Sequence, residues 1–311
     1  MTLLICVNAT EWLQDEELRD ILQPYLPDVE IAVGHPESPR DDITMIACTK
    51  FSRGLIENTP NVQLIQKLGA GVETMIANPD LPDHVRITRL SSAAQSREIA
   101  EYFLAYVMRF QRNMGVHDDN QRKAAWVQTP PKLNKNMTVG VLGLGTIGRI
   151  AAELFVDFGF DVLGWSRSPK KIDGVDCRSG MEALPALLSA SDYVCAILPQ
   201  TPETTNLFDA SLLAHMKPGA VLINAGRGTL IRDEDLIAAL DQGTLGGAVL
   251  DVFHDEPLPS DNPLWHHPKI IVTPHISGWT IDDCWGDIAE NYRRLTAGEP
   301  LLHEVDRKTG Y

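Results

Sequence analysis

The chain has 311 residues, a length suited to two domains, and its 44% hydrophobic and 22% charged content is that of a globular protein with an ample core. Its 42 acidic side chains outnumber 27 basic ones, for a formal net charge of −15. That balance argues against a nucleic-acid surface and leaves no global field to draw in an anionic ligand, so any anion site must be local.

Cys6, Cys48, Cys177, Cys195 and Cys284 are scattered and never spaced as CxxC, which predicts free thiols in a reducing compartment and no zinc or other metal site. The opening MTLLICVN lacks the basic region of a signal peptide. No run reaches the ~18 apolar residues needed to span a bilayer. The expectation is a cytoplasmic protein with no membrane partner.

In chain order, LLICVN (3–8) reads as a strand and EWLQDEELRDILQPYL as a helix. VEIAVG, ITMIAC (43–48), VQLIQKLGA (62–70) and RITRL (86–90) continue as strands with helical stretches among them. Such alternation predicts a parallel sheet with helices on both faces. From Ser91 to about Lys123 the spacing predicts one long helix, with Ile99, Phe103, Tyr106, Val107 and Phe110 forming a stripe for core packing. A second βα series starts at MTVGVLGL (137–144) and runs through DVLGWS (161–166), YVCAIL (193–198), AVLINAG (220–226), GGAVLDV (246–252) and IIVTPH (270–275). Its apolar strands are expected to be buried on both faces. DDCWGDIAENYRRLTAG (282–298) predicts a closing helix.

The segment VGVLGLGTIGRIAAELF places Gly143, Gly145 and Gly148 between a strand and a helix. GxGxxG alone is weak evidence, but at this junction it predicts a dinucleotide site. Gly143 allows the tight turn, Gly145 admits a pyrophosphate to the backbone, and Gly148 lets helix and strand pack closely. The helix start at Thr146 and Ile147 then offers N–H donors to the phosphates. An NAD site usually has an acid ~20 residues on, at the end of the next strand. Here that position holds Ser166, Arg167 and Ser168, with Lys170 and Lys171 behind. A guanidinium and hydroxyls suit a 2′-phosphate, so NADP(H) is expected to be preferred, with NAD possible.

Arg227 follows the AVLINAG strand between two glycines, Glu256 follows GGAVLDV, and His275 follows IIVTP. All three fall at the carboxyl ends of strands, where ligands of open α/β sheets bind. A fixed cation can hold a 2-oxo acid's carboxylate and polarise its carbonyl, and a histidine beside a carboxylate can supply a proton. Each residue alone would be unpersuasive, and their common position carries the argument.

The ordered set GLGTIG, LPQTPET (198–204), NAGRG (224–228), LDVFHDEPLP (250–259) and TPHISG (273–278) resembles the D-2-hydroxyacid dehydrogenase family over essentially the whole chain. The length and the closing VDRKTGY resemble its glyoxylate/hydroxypyruvate reductase branch. The resemblance implies an α/β protein of two Rossmann-like or flavodoxin-like lobes with parallel sheets, the cofactor lobe (96–282) inserted into a split substrate lobe (1–95 plus 283–311). It implies reduction of a small 2-oxo acid to the D-2-hydroxy acid, with Arg227 on the substrate, His275 as proton donor and Glu256 as its partner. By the same resemblance Asp251 holds the nicotinamide amide end, and Leu198, Pro199, Thr204, Ala225 and Gly226 line the cofactor cleft. KLGAGVE (67–73) resembles the family's substrate-carboxylate loop, which implies that the backbone of Ala70 and Gly71 binds that anion. A homodimer is implied through the long helix and the arm to 126, with Trp126 a candidate to reach the partner's pocket.

Two details depart from the family pattern. Gly226 stands where Ala or Ser is common, which predicts spare room beside the nicotinamide. Cys48, Thr49, Lys50 and Phe51 occupy the stretch where the branch's members place a tryptophan. Bulkier 2-oxo acids, of the phenylpyruvate or 2-oxoisocaproate type, therefore stay open as substrates, as does a redox-sensing corepressor on the same scaffold. The missing acid after DVLGW argues against an NAD-linked phosphoglycerate enzyme, and Glu256 in place of glutamine argues against a formate dehydrogenase.

Overall fold

The structure, a computed structural model, describes residues 1–8 and 13–307. Glu11 and Trp12 of the first expected helix, and Lys308 to Tyr311 of the closing segment, lie outside the described residues.

In order, the elements are β1 (Thr2–Cys6), α1 (Asp15–Leu22), β2 (Ile31–Val33), β3 (Ile43–Cys48), α2 (Arg53–Glu57), β4 (Leu64–Lys67), α3 (Glu73–Ile76), β5 (Arg86–Arg89), α4 (Ala93–Gln111) and α5 (Met114–Arg122). They continue with β6 (Thr138–Leu142), α6 (Thr146–Asp157), β7 (Asp161–Ser166), β8 (Val175–Ser179), α7 (Leu184–Ala190), β9 (Tyr193–Ala196), α8 (Ala210–Leu213), β10 (Ala220–Asn224), α9 (Asp233–Asp241), β11 (Leu245–Leu250), β12 (Ile270–Val272) and α10 (Trp285–Ala297). They form two compact units, Met1–Ala94 with Thr280–Tyr311, and Gln95–Trp279.

The first unit is a five-stranded sheet in the order β2-β1-β3-β4-β5, with every pair parallel. Side chains alternate along its strands, so Leu3, Ile5 and Met45 pack with α1 and α10 on one face while Leu4, Ile46 and Ile65 pack with Leu55 and Met75 on the other. The C-terminal helix is tied to the sheet by polar contacts as well. Buried Asn291 donates to Gln66 Oε1 at 3.0 Å, and its own Oδ1 accepts the Leu302 amide at 2.7 Å. Gly298, at φ +69°, ends α10 in the left-handed conformation that costs glycine least.

The second unit is a seven-stranded parallel sheet in the order β12-β11-β10-β9-β6-β7-β8. Its order reverses between β6 and β9, which makes the carboxyl ends of those strands the place for a ligand. Val139, Val141, Cys195 and Ile223 face α4 and α6, whereas Leu142, Val194, Leu222 and Leu250 face the opposite core. Ile99, Phe103 and Val107 are buried as the helical stripe predicts.

Two expectations are corrected, and one strand is added that the sequence reading passed over. The single helix over 91–123 is two, α4 and α5, because Asn113 adopts a left-handed φ of +54° between them. Asparagine tolerates that region better than most residues, so nothing in the hydrophobic spacing announces the break. The edge strand β8, VDCRS, carries too few apolar residues to be read as a strand, yet it pairs in register with β7. At the other edge β12 is only half-buried, unlike the inner strands of the same sheet.

All five cysteines are free, with Cys177 half-buried and the others buried. Among the described residues no helix is long and apolar enough to cross a membrane.

Candidate active site

The glycine turn joins β6 to α6 at the switch point. Gly143 has φ +103°, and a Cβ there would lie 2.5 Å from the Ile197 carbonyl oxygen. At Gly148 an added Cβ would lie 1.7 Å from the Gly143 carbonyl oxygen, so strand, turn and helix can close only on glycine. Gly145 is different. It caps α6 at an ordinary φ of −75°, and a Cβ there would meet nothing within 4 Å. The protein itself does not require glycine at this point. Open space above the backbone, next to the first N–H groups of Thr146 and Ile147 in a twelve-residue helix, fits a dinucleotide pyrophosphate.

At the end of β7, Ser166 is turned inward and its hydroxyl donates to the Ser168 carbonyl at 2.8 Å. Arg167 and Ser168 are exposed on that bend. Along the end of β9, Leu198 is buried, and Thr204 Oγ1 donates to the Pro199 carbonyl at 2.6 Å while accepting from the Thr201 amide. That hydrogen bonding sets the 199–204 turn.

Arg227 follows β10, Asp251 and Glu256 follow β11, and His275 follows β12, three strands adjacent in the sheet. The launch of Arg227 is set by buried Asn224, whose Oδ1 accepts from the Gly226 amide at 3.0 Å and whose Nδ2 donates to the Arg227 carbonyl at 2.9 Å. The guanidinium donates to the Gly226 carbonyl at 2.7 Å. Both flanking glycines answer to crowding: a Cβ on Gly226 would lie 2.8 Å from the Leu198 carbonyl oxygen, and one on Gly228 would lie 2.0 Å from the Phe253 carbonyl carbon. The spare room expected at Gly226 is therefore absent. Ala225, just before it, is buried.

His275 Nδ1 lies 2.7 Å from Glu256 Oε2, and Glu256 Oε1 accepts the Phe253 amide at 2.9 Å. The hydrogen bond to Glu256 holds the imidazole above the usual histidine value, against burial and the charge of Arg227. Burial opposes the Glu256 carboxylate, yet the His275 and Phe253 hydrogen bonds, with the charges of His275 and Arg227, bring it below the usual range. With Nδ1–H donating to the carboxylate, Nε2 across the ring is left for a transferable proton.

Asp251 is 0% exposed and takes three donors: Thr273 Oγ1 at 2.5 Å, the Ile276 amide at 2.9 Å and the Ser277 amide at 2.9 Å. The residues that sequence reasoning leaves unassigned here are Asn224, Tyr102 and Thr273. Asn224 and Thr273 sit inside recognisable motifs, but their role is backbone support, which no spacing reveals.

Ala70 and Gly71 belong to the first unit, on the loop after β4. Gly69 has φ +146°, its carbonyl accepts from Leu90 at 3.1 Å, and Lys67 Nζ donates to the Thr49 carbonyl at 2.6 Å. Cys48 and Phe51 are buried in the core, whereas at the neighbouring end of β3 Thr49 is half-buried and Lys50 exposed.

A Rossmann sheet with open space over Gly145 in its glycine turn, and an arginine, glutamate and histidine at adjacent strand ends, define a dinucleotide-dependent oxidoreductase. Residues 104–277 match the model of the D-isomer specific 2-hydroxyacid dehydrogenase NAD binding domain. Glyoxylate/hydroxypyruvate reductase A of Serratia proteamaculans is 36% identical, over 98% of this chain and 97% of that protein. The crystal structure of a D-isomer specific 2-hydroxyacid dehydrogenase from Xanthobacter autotrophicus Py2, in complex with NADPH and MES, is 39% identical with a TM-score of 0.93, covering 100% of this chain and 99% of that one. The NADPH-dependent glyoxylate/hydroxypyruvate reductase of Sinorhizobium meliloti, in complex with NADP and sulfate, is 30% identical with a TM-score of 0.91, covering 100% of both chains. The chain belongs to the D-isomer specific 2-hydroxyacid dehydrogenase family, oxidoreductases acting on CH–OH donors.

Proposed function

We propose that the protein reduces a small 2-oxo acid of the glyoxylate or hydroxypyruvate type to the D-2-hydroxy acid with NADPH. The observation that carries this reading is the 2.7 Å His275–Glu256 pair at a strand end next to those bearing Asp251 and Arg227. The reductases of Serratia and Sinorhizobium support the substrate class, and the NADPH and NADP complexes of the relatives support the cofactor. The chain's own residues fit that cofactor: the gap over Gly145 and the α6 amides suit the pyrophosphate, and exposed Arg167 and Ser168 suit a 2′-phosphate.

When bound, NADPH supplies the hydride that reaches the carbonyl carbon. Arg227 holds the substrate carboxylate and polarises the carbonyl oxygen, offering donors where negative charge develops. His275, protonated through its pairing with Glu256, delivers the Nε2 proton to that oxygen as the hydride arrives, which completes the alcohol. The Glu256 carboxylate stabilises the imidazolium before transfer and orients the ring throughout. In the first unit, the amides of Ala70 and Gly71 are proposed to bind a carboxylate. The protein is proposed to act in the cytoplasm, in keeping with its free cysteines, and as a homodimer. Trp126 is 93% exposed, and α5 has no buried residue, surfaces suited to a second copy. Sedimentation of the protein and of Trp126→Ala tests the dimer.

A second reading, reduction of bulkier 2-oxo acids, is favoured by the burial of Phe51, the one aromatic side chain of residues 48–51. One assay separates the two. NADPH oxidation is followed at 340 nm with glyoxylate, hydroxypyruvate, pyruvate, phenylpyruvate and 2-oxoisocaproate. Fast turnover of glyoxylate and hydroxypyruvate, reduced ~10²–10⁴-fold in His275→Ala, supports the proposal. Faster turnover of the bulky acids moves the substrate class. Tight NADPH binding without turnover of any acid replaces both readings with a sensor.

A further inference from the structure

The stretch Thr273–Trp279 carries His275 in a conformation that a histidine rarely adopts, with φ +54°. Such a backbone persists only where the surroundings impose it. Two grips do so here. From below, Asp251 accepts the Ile276 and Ser277 amides, each at 2.9 Å. From the side, α4 takes hold at three points. Gln95 Nε2 donates to the Gly278 carbonyl at 3.1 Å, Glu98 Oε2 accepts the Trp279 amide at 2.7 Å, and Tyr102 OH lies 2.7 Å from Thr273 Oγ1. Residues 95, 98 and 102 are spaced to share one helix face. Gly278 lets that face close in, since a Cβ there would lie 2.7 Å from Gln95 Cγ and Ile99 Cγ1.

Tyr102 is where the two grips meet. Thr273 has one hydroxyl proton, which it donates to Asp251 Oδ1 at 2.5 Å. The 2.7 Å contact between Tyr102 and Thr273 must then use the tyrosine proton. Burial pushes the Tyr102 phenol far up, so the proton stays in place. Tyr106 packs against Tyr102, with ring centroids 4.7 Å apart. The order of donation is therefore fixed: tyrosine to threonine to aspartate.

We infer that Tyr102 is a positioning residue for the reaction, anchoring through Thr273 and Asp251 the backbone that aims His275. The inference rests on the reading of His275 as the proton donor. The charged groups that bear on His275 are Glu256, Asp251 and Arg227, and Glu98 grips the same loop from α4. The 2.7 Å contact with Glu256 is the main cause that raises the imidazole, so a looser loop should let its pKa fall.

The test is a kinetic cycle on the intact protein. Tyr102→Phe is expected to lower kcat about 3–10-fold, the worth of one hydrogen bond, with KM for oxo acid and NADPH within about twofold of the parent. Its alkaline pH limb should move to lower pH. Thr273→Val should behave alike with a larger loss, Thr273→Ser should restore the rate, and the double variant Tyr102→Phe/Thr273→Val should be no slower than Thr273→Val. Unchanged kcat and pH limb in Tyr102→Phe with only a lower Tm, or strictly additive losses in the double variant, would overturn the inference. If His275→Ala is inactive while Tyr102→Phe is unaffected, the inference alone fails. An active His275→Ala defeats the functional reading beneath it too.

Discussion

Gly145→Ala separates what the glycine turn does for the fold from what it does for the ligand. An added Cβ meets no protein atom within 4 Å and φ is an ordinary −75°, so no overlap penalty arises. Replacing glycine by alanine at a helix cap costs about 0.5–1 kcal/mol, and the lower entropy of the unfolded chain returns about 0.4–1 kcal/mol. The two nearly cancel, and Tm should stay within about 2–3 °C of the parent. A pyrophosphate lying in that gap would instead collide with the methyl group and lose a charge-assisted hydrogen bond worth about 1.5–3 kcal/mol. Affinity for NADPH should then fall about 10–100-fold. Gly148→Ala is the counterpart, with its Cβ 1.7 Å from the Gly143 carbonyl oxygen, and it should fail to fold or melt far lower. Thermal melting together with NADPH fluorescence titration reads both quantities. Gly145→Ala that binds NADPH as tightly as the parent would refute the placement of the pyrophosphate.

Three further outcomes follow from the same geometry. Because Glu256 raises the His275 pKa and the proposed reduction draws its proton from that ring, activity should be lost as pH rises through that raised value. Glu256→Gln should bring the alkaline limb of kcat/KM to lower pH, and an unmoved limb would dissociate the pair. Gly226→Ala places a Cβ 2.8 Å from the Leu198 carbonyl oxygen and should destabilise by about 1–3 kcal/mol in denaturant titration, whereas spare room there would leave stability unchanged. Arg167→Ala should raise KM for NADPH about 10–100-fold and leave NADH untouched, with equal effects on both cofactors counting against a 2′-phosphate contact.

The parallel sheets were legible because apolar runs such as ITMIAC and DVLGWS coincide with β3 and β7. The positions of Arg227, Glu256 and His275 at strand ends were legible for the same reason, since a residue following a strand in such a sheet has only one edge to occupy. Local backbone was not. Asn113 breaks a helix while its neighbours keep helical spacing, and VDCRS forms a strand whose stability comes from pairing with β7. Gly226 shows a deeper limit. A small residue is equally compatible with a void and with crowding, and only the position of the Leu198 backbone decides between them. Asp251, likewise, is one carboxylate in a motif until its three donors are seen.

In the proposed reaction, hydride from NADPH and a proton from His275 convert a small 2-oxo acid into the D-hydroxy acid. Chiral analysis of the product formed from hydroxypyruvate, alongside the amount of NADPH consumed, tests it most directly. The expected result is one equivalent of D-glycerate per NADPH, with formation collapsing in His275→Gln. L-glycerate, or product formed at the parent rate by His275→Gln, would contradict it.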